Sequence, residues 1–547
     1  MTGRRSQLLV DPLQATVGLL QTPTLRLRIP LWREETDMPE YFASRAYIEE
    51  VERGPKPIEG VATSTAAFLG ETLRGPQKPW LVTSYGAFLR WFGDVFGTGK
   101  YTPYAVKAFF DNGGRRCYIA RILGQGAARA AATTGVFTVT AVGPGTAYNN
   151  VLVRIGKGTT LDANGAPVGF RVQVSYWANE AHVPDPSQFG NPPTPPTVTE
   201  DFDDLSLDPA SSAYFDKRVN NFNSVLVEIS AGDDAKLSQE NGEPVRLQGG
   251  VDGASPTAAD YEGTSPDGNP QNHRGLAAMD LDEFREVAIV HAPGVEYDIA
   301  TRVVVHCERN RFRFAVVDSL PNLVSASGID PRGQVADTKY GAFYYPWITV
   351  NDPRSGGRVT IPPGGAVCGI YALTDSTRGV FKAPANQVVA GALDVEFDMD
   401  QGTQEVINSK GVNVIRRFPE RGIRVWGART MSSDPLWKYV NVRRLFIFLE
   451  ASIYNSTQWV VFESNDSRLW ARVKQAVTLF LRTQWREGAL LGVKEEEAFT
   501  VAVGRGETMS EDDVLNGRLI VEIGIAPIRP AEFVVFRVFQ KTQESKT

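Results

Sequence analysis

Four short runs constrain the fold of this chain more than any other feature. They are "VAIVHAP" from Val287, "RFRFAVVD" from Arg311, "GAFYYPWITV" from Gly341 and "AVCGIYALTD" from Ala366. Each is apolar, of strand length, and set off by polar or turn-rich residues. A strand apolar on both faces must be covered on both faces, and length favours strand over helix in runs this short. The four therefore predict inner strands of a covered sheet. Upstream, Ala66 to Gly70 reads as a strand, "SYGAFLRWFG" and "YTPYAVKAFFDNGG" as helices, and "CYIARIL" as a strand. That order predicts an α/β layer.

The texture changes after Leu123. "GVFTVTAVGPGTAYNNVLVRIGKGTTLDANGAPVGFRVQVSYWA" is rich in β-branched residues and turn signals, with a hairpin cue at Asn164-Gly165. A proline-rich loop, "FGNPPTPPTVTE", follows. We read residues 124–235 as a β-rich insertion between two parts of the α/β domain, 60–123 and 236–400. From 401 to 530 an α+β section is expected. It starts with a hairpin of "GVNVIRRF" and "IRVWGART" around "PERG". Two long helices follow, Leu436 to Tyr454 and Asp466 to about Gly488. "GRLIVEIGIAPIRPAEFVVFRVFQ" then supplies two strands split by prolines. The fold class is thus an α/β multidomain chain with a β-rich insertion, an α+β C-terminal domain and extended terminal segments. No repeat of fixed period is visible.

Its 547 residues predict several domains. The net charge of -6 argues against a general nucleic-acid binder. No apolar run of about 18 residues is present. Within residues 1–37, the stretch "MTGRRSQLLVDPLQATVGLL" carries two arginines and then apolar residues interrupted by Asp11 and Pro12. No small-residue cleavage site follows, so they read as an extension rather than a signal. The three cysteines, Cys117, Cys307 and Cys368, are widely spaced. Cys117 and Cys368 sit in strand-like apolar runs, as small buried hydrophobes.

Chemistry is sparse. No phosphate-cradling motif follows a strand; "PPGGAVCG" reads as a tight turn. Neither H-E-x-x-H nor C-x-x-C occurs, and the acidic "DFDDLSLDP" lacks calcium-loop spacing and reads as a solvated turn. His182 and His273 lie in polar loops; His291 and His306 are placed near strand ends. No G-x-S-x-G elbow accompanies them. The expectation is a non-enzyme with no catalytic, cofactor or metal residues and no cofactor.

The ends are more informative. From Phe533 to Phe539 the chain is apolar on both faces. Phe533, Val535 and Phe539 point one way and Val534, Phe536 and Val538 the other, with Arg537 the exception. Pro527 and Pro530 break any ladder continuing from the preceding strand. This segment, with Glu532 at its start, is either an ordinary core strand or a strand added to another chain's sheet edge. The strand at Tyr47, Ile48, Glu49, Glu50 and Val51 has the same option. About five added bonds at roughly 0.5–1.5 kcal/mol each would hold neighbours together, and a head-to-tail contact that does not close builds a helical tube. In the helix from Asp466, Arg468, Arg472, Arg482 and Arg486 fall within about 80°. Leu469, Val473, Val477 and Phe480 form a separate inward wedge. The basic stripe is a solvated or internally paired face, or a dock for an acidic partner.

The chain resembles the contractile tail sheath proteins of phages and phage-tail-like injection systems. The resemblance rests on "YIEEVERGPKPIEGVATSTAAFLGETLRGP", "AVKAFFDNGGRRCYIARIL", "GPGTAYNNVLVRI", "YYPWITVNDP", "IPPGGAVCGIYALTDSTRGVFKAPAN", "NVIRRFPERGIRVWGART", "YVNVRRLFIFLEASI" and "GIAPIRPAEFVVFRVFQ", running from about Met38 to Gln540. One departure is "SRAY" at Ser44 to Tyr47, where the family often has Pro-Gly-Val-Tyr.

The resemblance implies a helical sheath of identical subunits around an inner tube protein, joined to baseplate and terminal cap proteins and contracting irreversibly. The charge and the lack of a long apolar run add the expectation of no nucleic-acid partner and no membrane insertion. Assembly would occur in the bacterial cytoplasm, within a phage tail or a released tail-like particle. Family members link subunits through arms that complete a neighbour's sheet; the arms map onto 38–59 and 531–547. The α/β domain would have subtilisin-like topology without its triad. The four arginines become candidate tube-facing residues. The alternatives are a type VI secretion sheath component and a serine hydrolase of subtilisin-like topology.

Overall fold

The computed structural model describes residues 57–232, 241–265, 267–324, 328–533, 535 and 537. In chain order the first elements are β1 (Ala66–Gly70), β2 (Trp80–Val82), α1 (Tyr85–Phe92), α2 (Thr102–Asp111) and β3 (Cys117–Arg121). Seven strands follow: β4 (Arg129–Thr134), β5 (Phe137–Pro144), β6 (Val151–Lys157), β7 (Phe170–Tyr176), β8 (Val198–Leu205), β9 (Val227–Ala231) and β10 (Val245–Arg246). The chain then returns with β11 (Ile289–His291), α3 (Tyr297–Asn310), β12 (Phe314–Asp318), β13 (Gly341–Tyr345), β14 (Ile348–Asn351), β15 (Arg358–Ile361) and α4 (Gly364–Arg378). After these come β16 (Gln387–Val388), β17 (Asp394–Val395), α5 (Gln401–Ser409), β18 (Val412–Phe418) and β19 (Gly422–Trp426). The last elements are α6 (Val440–Ser456), α7 (Ser467–Arg486), β20 (Phe499–Ala502) and β21 (Glu522–Ile525).

The core is a nine-stranded sheet in the order β16-β19-β18-β13-β12-β11-β1-β3-β2. From β18 to β3 every pairing is parallel; β2, β19 and β16 add antiparallel edges. The inner strands are apolar without alternation because both faces are covered. Along β12 and β13, Phe314, Val316, Ala342 and Tyr344 join one cluster with α2 and α4. Ala315, Val317, Phe343 and Tyr345 join the opposite cluster with α3. Three of the four apolar runs are strands, as expected. The hairpin around "PERG" is also present as β18 and β19.

The fourth run is not a strand. "AVCGIYAL" lies in α4, and "PPGG" is the start of that helix rather than a tight turn. Ten of its fifteen residues are buried, so no polar stripe marks it as a helix. Glycines let it approach α2 closely: a Cβ on Gly365 would lie 2.4 Å from the Ala105 carbonyl oxygen, and one on Gly369 2.5 Å from that of Phe109. Cys368 is therefore buried in a helix, while Cys117 is buried in β3 and Cys307 in α3. His306 is likewise inside α3, not at a strand end.

The seven strands β4–β10 form two sheets, β4-β5-β9 and β10-β6-β7-β8, around a core that includes Val139, Val153, Phe170, Val172, Tyr176 and Val227. The Asn164-Gly165 turn lies between β6 and β7. Asp162 Oδ1 accepts from the Asn164 and Ala166 amides at 2.8 and 2.9 Å, and Gly165 takes φ +81°. The acidic segment is not a solvated turn: Asp201 to Leu205 belong to β8. Asp201 Oδ1 accepts from Arg171 Nε at 2.7 Å, and Asp203 and Asp204 each accept from a threonine amide at 3.1 Å. Arg121, buried in β3, donates to the carbonyls of Gly75 and Pro144 at 2.9 and 2.6 Å. It thereby ties β5 to the main sheet.

Beyond β19 the two helices start within four residues of their expected positions. Asp466 caps α7 by accepting from the Arg468 and Leu469 amides at 3.0 and 2.9 Å. The inward wedge of α7, Leu469, Val473, Val477 and Phe480, packs with Leu445 and Leu449 of α6 and Phe499 of β20. That burial satisfies the 3.6-residue period read from the sequence.

Candidate functional site

The first described residues run antiparallel to α6. The Glu59 amide donates to Ser456 Oγ at 3.2 Å and the Val61 amide to Ser452 Oγ at 3.1 Å. Ser452 Oγ can accept because its own proton goes to the Phe448 carbonyl at 2.7 Å. Two residues on, the Thr63 carbonyl accepts from Arg444 Nη2 at 2.9 Å, and Thr63 Oγ1 donates to Asp375 Oδ2 at 2.7 Å. Arg444 is buried against the Tyr371 ring, 4.8 Å away. Burial opposes its charge, but Asp375 outweighs burial and the guanidinium pKa is raised.

The last described residues meet the other end of α6. Asn441 Nδ2 donates to the carbonyls of Phe381 and Ile528 at 2.8 and 3.2 Å. Glu532 is held three ways: by Arg429 Nε at 2.5 Å, Lys438 Nζ at 2.9 Å and Tyr439 OH at 3.0 Å. Burial alone would raise its pKa. The contacts with Arg429, Lys438 and Tyr439 prevail and lower it to about 2. Immediately beyond, Phe533 and Val535 are 71% and 77% exposed. Phe533 lies beside a groove of about 770 Å³ lined also by Phe418, Trp426, Tyr439 and Glu405.

Among the described residues β20 and β21 pair only with each other, as a two-stranded antiparallel sheet. Its inner face places Phe499, Val501 and Ile525 against the α7 cluster. Among the described residues both outer backbone edges are unpaired by any strand. An isolated pair of strands is marginal, and open edges are templates for a further strand.

The four candidate arginines do share one side of α7, but the structure separates them. Arg482 is clamped by Glu495, with Nε and Nη2 at 2.7 and 2.9 Å from the two carboxylate oxygens. Arg472 donates to Glu463 at 3.3 Å and lies over Trp459. Arg468 and Arg486 are exposed and have no ion-pair partner among the described residues. Of the terminal candidates, Glu532, Phe533, Val535 and Arg537 are described and none lies in a strand. Tyr47, Ile48, Glu49, Glu50, Val51, Val534, Phe536, Val538 and Phe539 lie outside the described residues.

The histidine at a strand end, His291, is wholly buried. Its Nδ1 lies 2.9 Å from the Val316 carbonyl, and its Nε2 lies 3.4 Å from Asp318 Oδ2. Asp318 Oδ1 accepts from the Gly364 amide at 2.7 Å, and burial raises its pKa. No group of three or more possible metal-ligating side chains occurs among the described residues.

Sequence reasoning did not find Arg429, Lys438, Asn441, Arg444, Ser452 or Ser456. A signal was present for one: Arg443 and Arg444 interrupt the apolar run of "YVNVRRLFIFLEASI", and a charge on an apolar helix face needs a buried partner.

Residues 255–431 match the phage tail sheath protein central domain, and residues 432–541 match the phage tail sheath C-terminal domain. Together the two matches span more than half of the chain. A putative prophage major tail sheath protein of Pseudomonas aeruginosa (strain UCBPP-PA14) is 25% identical over 199 residues, 35% of this chain and 49% of that protein. The tail sheath protein of Burkholderia phage BcepMu is 26% identical over 159 residues, 27% of this chain and 33% of the relative. The matched stretches thus span half or less of these relatives' length. The fold resembles the PVC sheath complex of an extracellular contractile injection system in its contracted state. That likeness has a TM-score of 0.56 and 23% identity, covering 92% of this chain and 99% of the other. The anti-feeding prophage helical sheath in its contracted state gives 0.55 and 24%, covering 92% and 100%.

Proposed function

The chain belongs to the phage tail sheath protein family, and from that premise we propose that it is the structural subunit of a contractile sheath. Copies polymerise helically around an inner tube and contract to drive the tube through a target envelope. Baseplate and cap proteins close the two ends, within a phage tail or a tail-like particle. The work comes from contacts formed between subunits on contraction, not from a reaction catalysed by the chain.

The observation that carries this reading is an imbalance of strands. The chain leaves its core at Glu532 with Phe533 and Val535 in solvent, yet among the described residues its β20–β21 sheet has two open edges. A segment apolar on both faces needs cover, and a neighbour's open edge supplies it by strand addition. In this reading the 38–59 arm adds to another edge in the same way. The head-to-tail repeat then grows without closing.

The tube-facing role falls on α7, with Arg468 and Arg486 outside any ion pair among the described residues and Arg472 and Arg482 partly neutralised by their own subunit. Such a surface fits an acidic partner.

Deleting residues 531–547 tests the central point. Negative-stain microscopy should show no sheath polymers while the circular dichroism spectrum is retained. Normal tubes from the truncated protein would overturn strand exchange by this arm.

A further inference from the structure

Both terminal segments are tied to one helix, and their outermost contacts, Glu59 with Ser456 and Glu532 with Tyr439, lie at its opposite ends. Going along the chain from residue 59, the contacts move down α6 from Ser456 to Ser452 to Arg444. At the other end Asn441 holds the Ile528 carbonyl, and Tyr439, just before the helix, holds Glu532. From Asn441 to Ser456 is about 22 Å at 1.5 Å per residue.

The helix between these points is built to stay straight. "VNVRRLFIFLEASIYNS" contains neither proline nor glycine, the usual sites of a kink. Leu445 and Leu449 are buried against α7, and Arg444, in the second turn of α6, pins it to Asp375 on α4. A displacement of either end therefore meets resistance to bending from this packing. It is passed along the axis or resisted by the Arg444–Asp375 pin.

We infer that α6 is a rigid spacer that fixes the distance between the two arm roots and couples them energetically, with Asn441, Ser452 and Ser456 as its positioning residues. This rests on the reading that the terminal segments are the links between subunits. Tension entering through one arm then leaves through the other along a single helix.

Coupling of this kind is reciprocal, which makes it testable in dispersed full-length subunits by amide hydrogen exchange. Glu532→Gln loosens one root; the reporters are the Glu59 and Val61 amides at the other. Ser452→Ala with Ser456→Ala loosens the second root; the reporter is the Ile528 amide, which donates to the Ala489 carbonyl at 3.3 Å. Each variant should speed exchange at the distant reporter at least threefold, and exchange in β6 and β7 should not change. Changes confined to the mutated end would overturn the coupling. So would an equal rise in β6 and β7, which would mean general loosening. Failure here leaves arm exchange standing, because polymer formation after truncation reports that separately.

Discussion

Arg444 on α6 and Asp375 on α4 form a two-pronged ion pair, Nη1–Oδ1 2.8 Å and Nη2–Oδ2 2.6 Å, with each side chain only 4% exposed. The same pair receives the Thr63 hydroxyl and carbonyl. It therefore joins three segments distant in sequence. Asp375→Asn leaves the guanidinium buried without its counter-charge. Breaking one side of such a pair costs about 3–5 kcal/mol, to be read from denaturant unfolding. A loss below about 1 kcal/mol would mean that the pair holds nothing together.

Gly364 opens α4 where His291 and Asp318 meet. A Cβ there would lie 2.2 Å from His291 Cε1 and 2.7 Å from Asp318 Oδ1. The imidazole is buried and held by the Val316 carbonyl. Gly364→Ala should destabilise by about 1–3 kcal/mol, as overpacking does. An unchanged midpoint of thermal unfolding would show that the cluster yields.

Glu532 gives a pH dependence of defined sign. Its folded pKa, about 2, lies below the ordinary 4.5. The carboxylate therefore contributes stability above pH 4.5, and that contribution is lost as pH falls from there through about 2. Carboxyl carbon chemical shifts should place the Glu532 midpoint near 2 in the native chain. In Arg429→Met it should rise toward the ordinary range. A native midpoint at 4 or above would remove the clamp.

The paired and free arginines of α7 should behave differently. Arg468→Glu with Arg486→Glu should weaken tube co-assembly while leaving unfolding within about 0.5 kcal/mol of the parent. Arg482→Glu instead sets two carboxylates together at Glu495. It should lower stability, read as an earlier denaturant midpoint than that of the parent. Undiminished co-sedimentation of the double variant with its tube would remove the tube-facing role.

Much of this architecture was legible in the residues. "RFRFAVVD" and "GAFYYPW" gave strands because a short apolar run between turn signals has few other homes. Asp466 marked the start of α7, and the spacing of its leucine, valines and phenylalanine marked the buried side. Where the reading failed, the local signal was ambiguous. "AVCGIYAL" is as apolar as an inner strand, yet it is a helix, because glycines on it allow contact with α2 that no local pattern reveals. "DFDDL" is acidic enough for a loop, yet Arg171 and two threonine amides hold it in β8.

The sequence by itself determined the family, the covered sheet and the amphipathic helices, since those follow from short-range periodicity and from segment order. Only the tertiary structure decided which charges are free and where the termini are held. Arg444 and Asp375, or Arg429 and Glu532, meet across 69 and 103 residues. Pairing over such distances is set by how helices and strands pack, and composition or spacing carries no record of it.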